Sequence, residues 1–326
     1  MQNPIVKYVL NNHILATVLL VALALFLYQI RSILLALFIS YIIMAALTPI
    51  VRGLKRFRLP NFLTVTVVYS LVIAAIVLLV VPILPFFISQ IQALFKAIPT
   101  YLNLASQVLG FQVSNAQIEN YLSPLTGLIG QNALSFTTRF FGGIFTVISI
   151  FVLSFYMLIE REKIGREIPN LLPERYRQKI ILTIHLVEQK LGAWLRGQIV
   201  LSLVVGTITW IVLTVLGVPF ALPLAILAGI LEIIPTLGPI IAAIPAVIVG
   251  LAISPVMAVS VVLAYIGIQL AENNILVPKI MQKAVGLNPV VIIVAILIGA
   301  RLFGVMGALL SIPFVSAAII TIRSFK

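Results

Sequence analysis

The sequence predicts an all-α integral membrane protein with about eight hydrophobic helical segments, two of them broken or re-entrant like hairpins, and both termini cytoplasmic. Three observations carry this: the composition, the spacing of the apolar runs and the placement of the cations. Of 326 residues, 62% are hydrophobic and 9% are charged, with a mean hydropathy of +1.23. A soluble core of this length cannot hide so much apolar surface, so the solvent is a bilayer. The apolar runs fall at 14–30, 32–50, 62–88, 136–159, 197–216, 223–253, 256–271 and 289–322. Most are near the roughly 20 residues that cross about 30 Å of hydrocarbon.

The first run reads as a retained transmembrane helix rather than a signal peptide. Its small-x-small triplet, Ala22-Leu23-Ala24, lies mid-run rather than after it. Arg31 separates runs one and two. RGLKRFR (52–58) then places four cations in seven residues, and 160–196 carries eight cations and five glutamates. Both stretches read as cytoplasmic, with helix counts that agree. The chain is thus one polytopic domain, 1–326: helices over 1–88, an extracytoplasmic amphipathic segment 89–135, a cytoplasmic amphipathic segment 160–196, and a transport core 197–326. Within 174–196 the apolar positions Ile180, Ile184, Val187, Leu191 and Leu195 recur at helical spacing, with Arg177, Glu188 and Lys190 off the stripe. LRGQ (195–198) opens the next helix, and Arg196 and Gln198 read as an interfacial anchor beside Trp194. His13 and His185 read as interfacial and surface residues.

Segment 223–253 is the anomaly. As one straight helix its 31 residues would run roughly 46 Å. Each interior proline costs about 3 kcal/mol, and a glutamate at the bilayer centre roughly 2.5–3.5 kcal/mol. Two half-helices joined at PTLGP fit better, with the break buried in protein or lining a wet cavity. Segment 289–322 breaks likewise around GARLFGVMG (299–307), at Arg301 and Gly304. AILAG (225–229) echoes AILIG (295–299), and IAAIPAV (241–247) echoes LLSIPFV (309–315). As hairpins, the first enters from outside and the second from inside, and Lys279 and Lys283 fall in the cytoplasm. Opposed broken helices near the midplane are a recurrent transporter site.

Glu232 reads as a proton or cation carrier, a partner for Arg301, or a structural acid bonded to freed backbone at the bend. Gln269, Glu272 and Asn273 share a helix face and could offer oxygens to a cation or a hydroxylated solute. The bland alternative is an ordinary polar helix end capped by Asn274 before Pro278. There is no cysteine and there are two distant histidines, which argues against metal and thiol chemistry. No phosphate loop, HExxH or GxSxG occurs, so an ATP-driven pump or a common hydrolase lacks support. No catalytic residue and no cofactor is expected. The formal charge of +13 belongs to loops rather than to a nucleic-acid surface.

SFYMLIEREKI (154–164), LPERYRQK (172–179), LGAWLRGQ (191–198), LGVPFALPLAILAGILEIIPTLGPIIAAIPA (216–246), ENNILVPKI (272–280) and VGLNPVVIIVAILIGARLFGVMGALLSIPF (285–314) run in the order of the autoinducer-2 exporter family, which the chain resembles. TPIVRGLKRFRLP (48–60) extends the likeness more loosely. The resemblance implies a non-enzymatic multi-pass carrier of the bacterial inner membrane, homo-oligomeric and pentameric by likeness. Members are linked to export of autoinducer-2, a small polyhydroxylated molecule, or to sodium–proton exchange, and many are named only as permeases. The family's glutamate–proline–glycine motif falls on Glu232, Pro235, Gly238 and Pro239, and its acid–amide motif on Glu272, Asn273 and Asn274. Thr236 stands where many members carry an aromatic, which loosens any carry-over of cargo. The expected partners are the bilayer, a small polar solute and Na+ or H+. A channel or non-transporting scaffold is the alternative from another class.

Overall fold

The computed structural model describes residues 13–80, 89, 92–93, 97, 99–101, 103–104, 133–170, 173–234, 237–281 and 288–325. The segment expected outside, 89–135, lies largely beyond these. All regular structure among the described residues is helical: α1 (His13–Gln29), α2 (Arg31–Leu54), α3 (Asn61–Val80), α4 (Ala133–Ile159), α5 (Arg161–Asn170), α6 (Glu174–Val215), α7 (Ala221–Leu231), α8 (Leu237–Ile253), α9 (Pro255–Ala271), a π-turn (Glu272–Leu276), α10 (Val277–Ile280) and α11 (Pro289–Phe325). Among the described residues, five helices are long and apolar enough to cross a membrane: Arg31–Phe57, Asn61–Leu78, Glu174–Val215, Pro255–Ile280 and Val290–Phe325. Leu20–Gln29, Phe145–Ile159, Ala221–Leu231 and Leu237–Ile253 are shorter apolar helices. Large apolar side chains stand exposed along the outer faces, including Leu25, Leu71, Leu78, Val215, Leu263 and Leu297. A surface of that kind faces lipid rather than water.

The amphipathic stretch 174–196 and the apolar run 197–216 are one helix. The 42 residues of α6 extend roughly 63 Å and form the spine of the molecule. It ends in a Schellman motif. Gly217, at φ +72°, donates to Thr214 O, and Val218 N donates to Leu213 O at 3.0 Å. Leu213 and Val218 are both buried, in one cluster with Leu224 of α7 and Val249 of α8. At mid-length, Ile42 and Ala45 of α2 pack on Leu191 and Trp194 of α6, with Ile312 of α11 beside them. A third cluster joins α2, α3 and α4 through Met44, Val68 and Leu158.

Contacts between helices rest on small residues, because lipid gives no hydrophobic drive for apolar side chains to leave it. A Cβ on Gly229 would sit 2.9 Å from Ser202 O, so α7 lies directly on the α6 backbone. Gly192 of α6 lies as close to the Ala45 carbonyl of α2. Pro49, four residues on, has no N–H to offer that carbonyl. Arg196 supplies donors instead, to Ala46 O at 2.9 Å and Ala45 O at 3.5 Å. Arg196 therefore ties α6 to α2, a contact its sequence context did not predict.

Both broken segments reverse direction. Gly238 touches the carbonyl of Leu231, and α7 packs along α8. In α11, Gly304 leaves the helical region (φ +61°, ψ −146°), and Gly299 touches Gly307 backbone to backbone. Eight residues apart in a continuous helix would stand about 12 Å apart, so the chain folds back there. The first hairpin opens at the Val215 end of α6. The second returns to the other end, where Phe325 meets Tyr176 with ring centroids 6.4 Å apart.

Candidate functional site

The site forms where the tip of the first hairpin meets the end of α9. α7 stops at Leu231, and the residue four further on is Pro235, which has no N–H. Ile234 N turns back instead to Leu231 O at 2.9 Å. The freed carbonyl of Glu232 accepts the side-chain amide of Gln198 at 2.9 Å, from 3% exposed Gln198 on α6. The Glu232 side chain is 1% exposed. Across from it, the π-turn after α9 carries Glu272, 4% exposed. The two carboxyl groups lie within hydrogen-bonding distance of each other, and Gln269 lies within reach of Glu272. One oxygen of each acid, Oε2, is buried without a partner among the described residues. The pair is at membrane depth: along α6, Gln198 stands roughly 15 Å from Glu188 and roughly 26 Å from Val215.

Two buried carboxyls this close accept one proton or one small cation between them far more readily than they stay charged and alone. A groove of about 460 Å³ between α6 and α7 adjoins the pair. Gln198 lines it together with Trp194, Ser202 and Trp210. The groove surface is almost wholly apolar, with Thr207 a further polar residue in the lining. Among the described residues, Trp194 Nε1 and Ser202 Oγ are buried without hydrogen-bond partners.

The structure redistributes the residues singled out from sequence. Glu232, Glu272 and Gln269 come together. Gln269 also reaches Asn273, which accepts from it at 3.4 Å, so Gln269, Glu272 and Asn273 share a side of the helix, but Asn273 is exposed where Glu272 is buried. Asn274 is exposed and donates to Leu270 O at 2.8 Å. The helix does not stop at Asn274 but runs on as the π-turn and α10 to Ile280. Arg301 is exposed, and among the described residues no ion pair joins it to Glu232. Gly238 is buried against Leu231, Pro239 is half-buried, and Gly304 marks the second reversal. Pro235 and Thr236 lie outside the described residues. Gln198 is the participant that sequence reasoning undervalued. Its signal was legible, since it falls in the buried stripe Leu191, Trp194, Leu201, Val205.

A family model described as the AI-2E family transporter matches residues 16–326. The chain belongs to the AI-2E transporter family. Related proteins include YueF of Bacillus subtilis strain 168, 30% identical over 81% of this chain and 76% of its own. YrrI of the same organism is 28% identical over 87% of this chain and 84% of its own. Both are described as candidate transport proteins. The AI-2 transport protein TqsA of Escherichia coli K12 is 29% identical over 86% of this chain and 81% of its own. This AI-2E transporter is accordingly a multi-pass membrane transport protein.

Proposed function

We propose that this AI-2E transporter is a secondary transporter of the bacterial inner membrane that exports a small polar solute of the AI-2 type, coupled to an ion gradient. The observation that carries the reading is the buried Glu232–Glu272 pair, whose Oε2 atoms have no partner among the described residues, on a bend that Gln198 in the wall of an uncharged groove ties to α6. The acids hold the proton or cation, and the groove holds the solute. Gln198 lines the groove and donates to the Glu232 main-chain carbonyl, so filling the groove bears on the bend that carries Glu232. TqsA, named for AI-2 transport, supports the solute class by kinship.

A second reading, sodium–proton exchange, draws on the same pair, because two carboxyls can alternate between a proton and a sodium ion with no organic solute. Reconstitution in proteoliposomes under imposed proton or sodium gradients, with and without AI-2, separates the two. Export predicts gradient-dependent AI-2 movement that Glu232→Gln abolishes while assembly is kept. Sodium-dependent proton movement without AI-2 supports exchange. Absence of both fluxes in well-folded protein refutes carrier function.

A further inference from the structure

A second cavity, of about 570 Å³, opens at the end of the molecule away from the first hairpin, between α2, α4, α5 and α6. It has two halves of opposite chemistry. Met44, Met157, Ile164, Ile181 and Ile184 make an apolar wall. Arg161, Arg166, His185, Glu162 and Glu188 make a polar one. Arg161 is already committed: its Nε donates to both Glu188 oxygens, at 3.0 and 3.1 Å. Glu162 is committed to Lys55 at 2.9 Å. Arg166 donates only to the main-chain carbonyl of Glu162, at 3.1 Å, and among the described residues it has no carboxylate partner. Arg52, Arg56 and Arg58 are exposed at the same end but do not line the cavity.

We propose that this cavity binds one anionic phospholipid, with its phosphate on the Arg166 guanidinium and an acyl chain along the Met44–Met157–Ile181 wall beneath α5. The charge balance favours an anion, since Arg161 and Lys55 already pair with the two acids of the cavity and the Arg166 guanidinium at its mouth makes no ion pair among the described residues. The apolar wall selects a lipid over free phosphate, because a hydrated ion gains nothing from methionine and isoleucine. Basic pockets between helices at the membrane surface are suited to anionic headgroups. A lipid there would bridge α5 to α2 and α4 and hold the polar end of α6 at the bilayer surface.

The test is native mass spectrometry of the delipidated full-length protein with phosphatidylglycerol, phosphatidylcholine or inorganic phosphate added. Phosphatidylglycerol is expected to remain bound where phosphatidylcholine is lost, and millimolar phosphate is expected not to displace it. Arg166→Ala is expected to weaken retention about fivefold. Gly165→Leu keeps every charge and places its side chain where a Cβ meets nothing within 4 Å; it should block the chain and also lower retention. Arg56→Ala, an exposed cation outside the cavity, should leave retention unchanged. Equal retention of the two lipids, displacement by phosphate, or equal loss in Arg56→Ala and Arg166→Ala would each overturn the proposal.

Discussion

Gln198 joins two features that the sequence presents separately, a polar residue in an apolar stripe and a proline-broken hairpin. Replacing it with leucine keeps the volume and removes the donor to the Glu232 carbonyl. The expected cost is about 1–3 kcal/mol, the penalty of a buried acceptor left alone, read as a lowered melting temperature together with lost flux. Glu188 makes the complementary point. Its side chain is 8% exposed against 17% for Arg161, so Arg161→Ala strands a buried carboxylate and should cost about 3–5 kcal/mol. The double change Arg161→Met with Glu188→Leu should recover most of that loss in thermal unfolding. Periodicity placed Glu188 off the apolar stripe but could not show that α5 folds over its flank. The same blindness applies to Glu232: its burial was legible, but its neighbour is Glu272 rather than Arg301, since chain positions 40 apart meet only through the reversal of the hairpin. At the surface, the Lys55 ammonium bonded to Glu162 holds that carboxyl below its usual range. The pair's stabilisation is present above the unfolded carboxylate value of about 4.3 and is lost as pH falls through the lower folded value. With side chains 37% and 64% exposed, it is worth about 0.2–1 kcal/mol and is screened by salt. Lys55→Ala should therefore lower stability slightly at neutral pH and not at all once Glu162 is protonated.

At the scale of elements, the two hairpins use glycine in different ways. Gly238, Gly299 and Gly307 permit backbone contact across a reversal, and any Cβ there strikes a carbonyl. Gly304 meets nothing within 4 Å, but its φ of +61° with ψ of −146° is open to glycine alone. Gly299→Ala should therefore prevent the arms from closing and yield little folded protein. Gly304→Ala should fold with a conformational penalty of about 1–3 kcal/mol. Size-exclusion profiles and melting temperatures of the two variants distinguish these outcomes. The breaks were legible in sequence because length, proline and glycine counted together against a straight span. The parallel between AILAG and AILIG was less informative. Gly229 serves the packing of α7 on α6, whereas Gly299 serves contact within its own hairpin, so matching words carry different work. Nor did the sequence separate α6 correctly, because its polar–apolar change at residue 196 marks a change of surroundings rather than a helix end.

At the scale of the whole molecule, sidedness follows from contacts that connect distant parts of the chain. Lys55 pairs with Glu162, Asn61 donates to Ile159 O at 3.2 Å, and Phe325 lies on Tyr176. The basic loop, α5, the start of α6 and the carboxyl end therefore share one end of the bundle. Gly217 and the start of α7 mark the other, since α6 runs unbroken between them. α9 begins at Ser254, whose Oγ accepts from Met257 N at 3.0 Å, beside the open end of the first hairpin: a Cβ on Gly250 would lie 3.3 Å from Ala258 Cα. α9 then runs down to α10, where Ile280 and Met281 meet Gly197 of α6. Lys279 thus leaves the bundle on the side of the basic loop, and Val256 on the opposite side. The native chain has no cysteine, so single cysteines report sidedness directly. In inside-out vesicles, a membrane-impermeant maleimide should label Arg56→Cys and Lys279→Cys but not Val256→Cys, with the pattern reversed in right-side-out cells. Labelling of Lys279→Cys together with Val256→Cys would mean that α9 does not cross, and the acid pair at its end would then lie at an aqueous face rather than within the membrane.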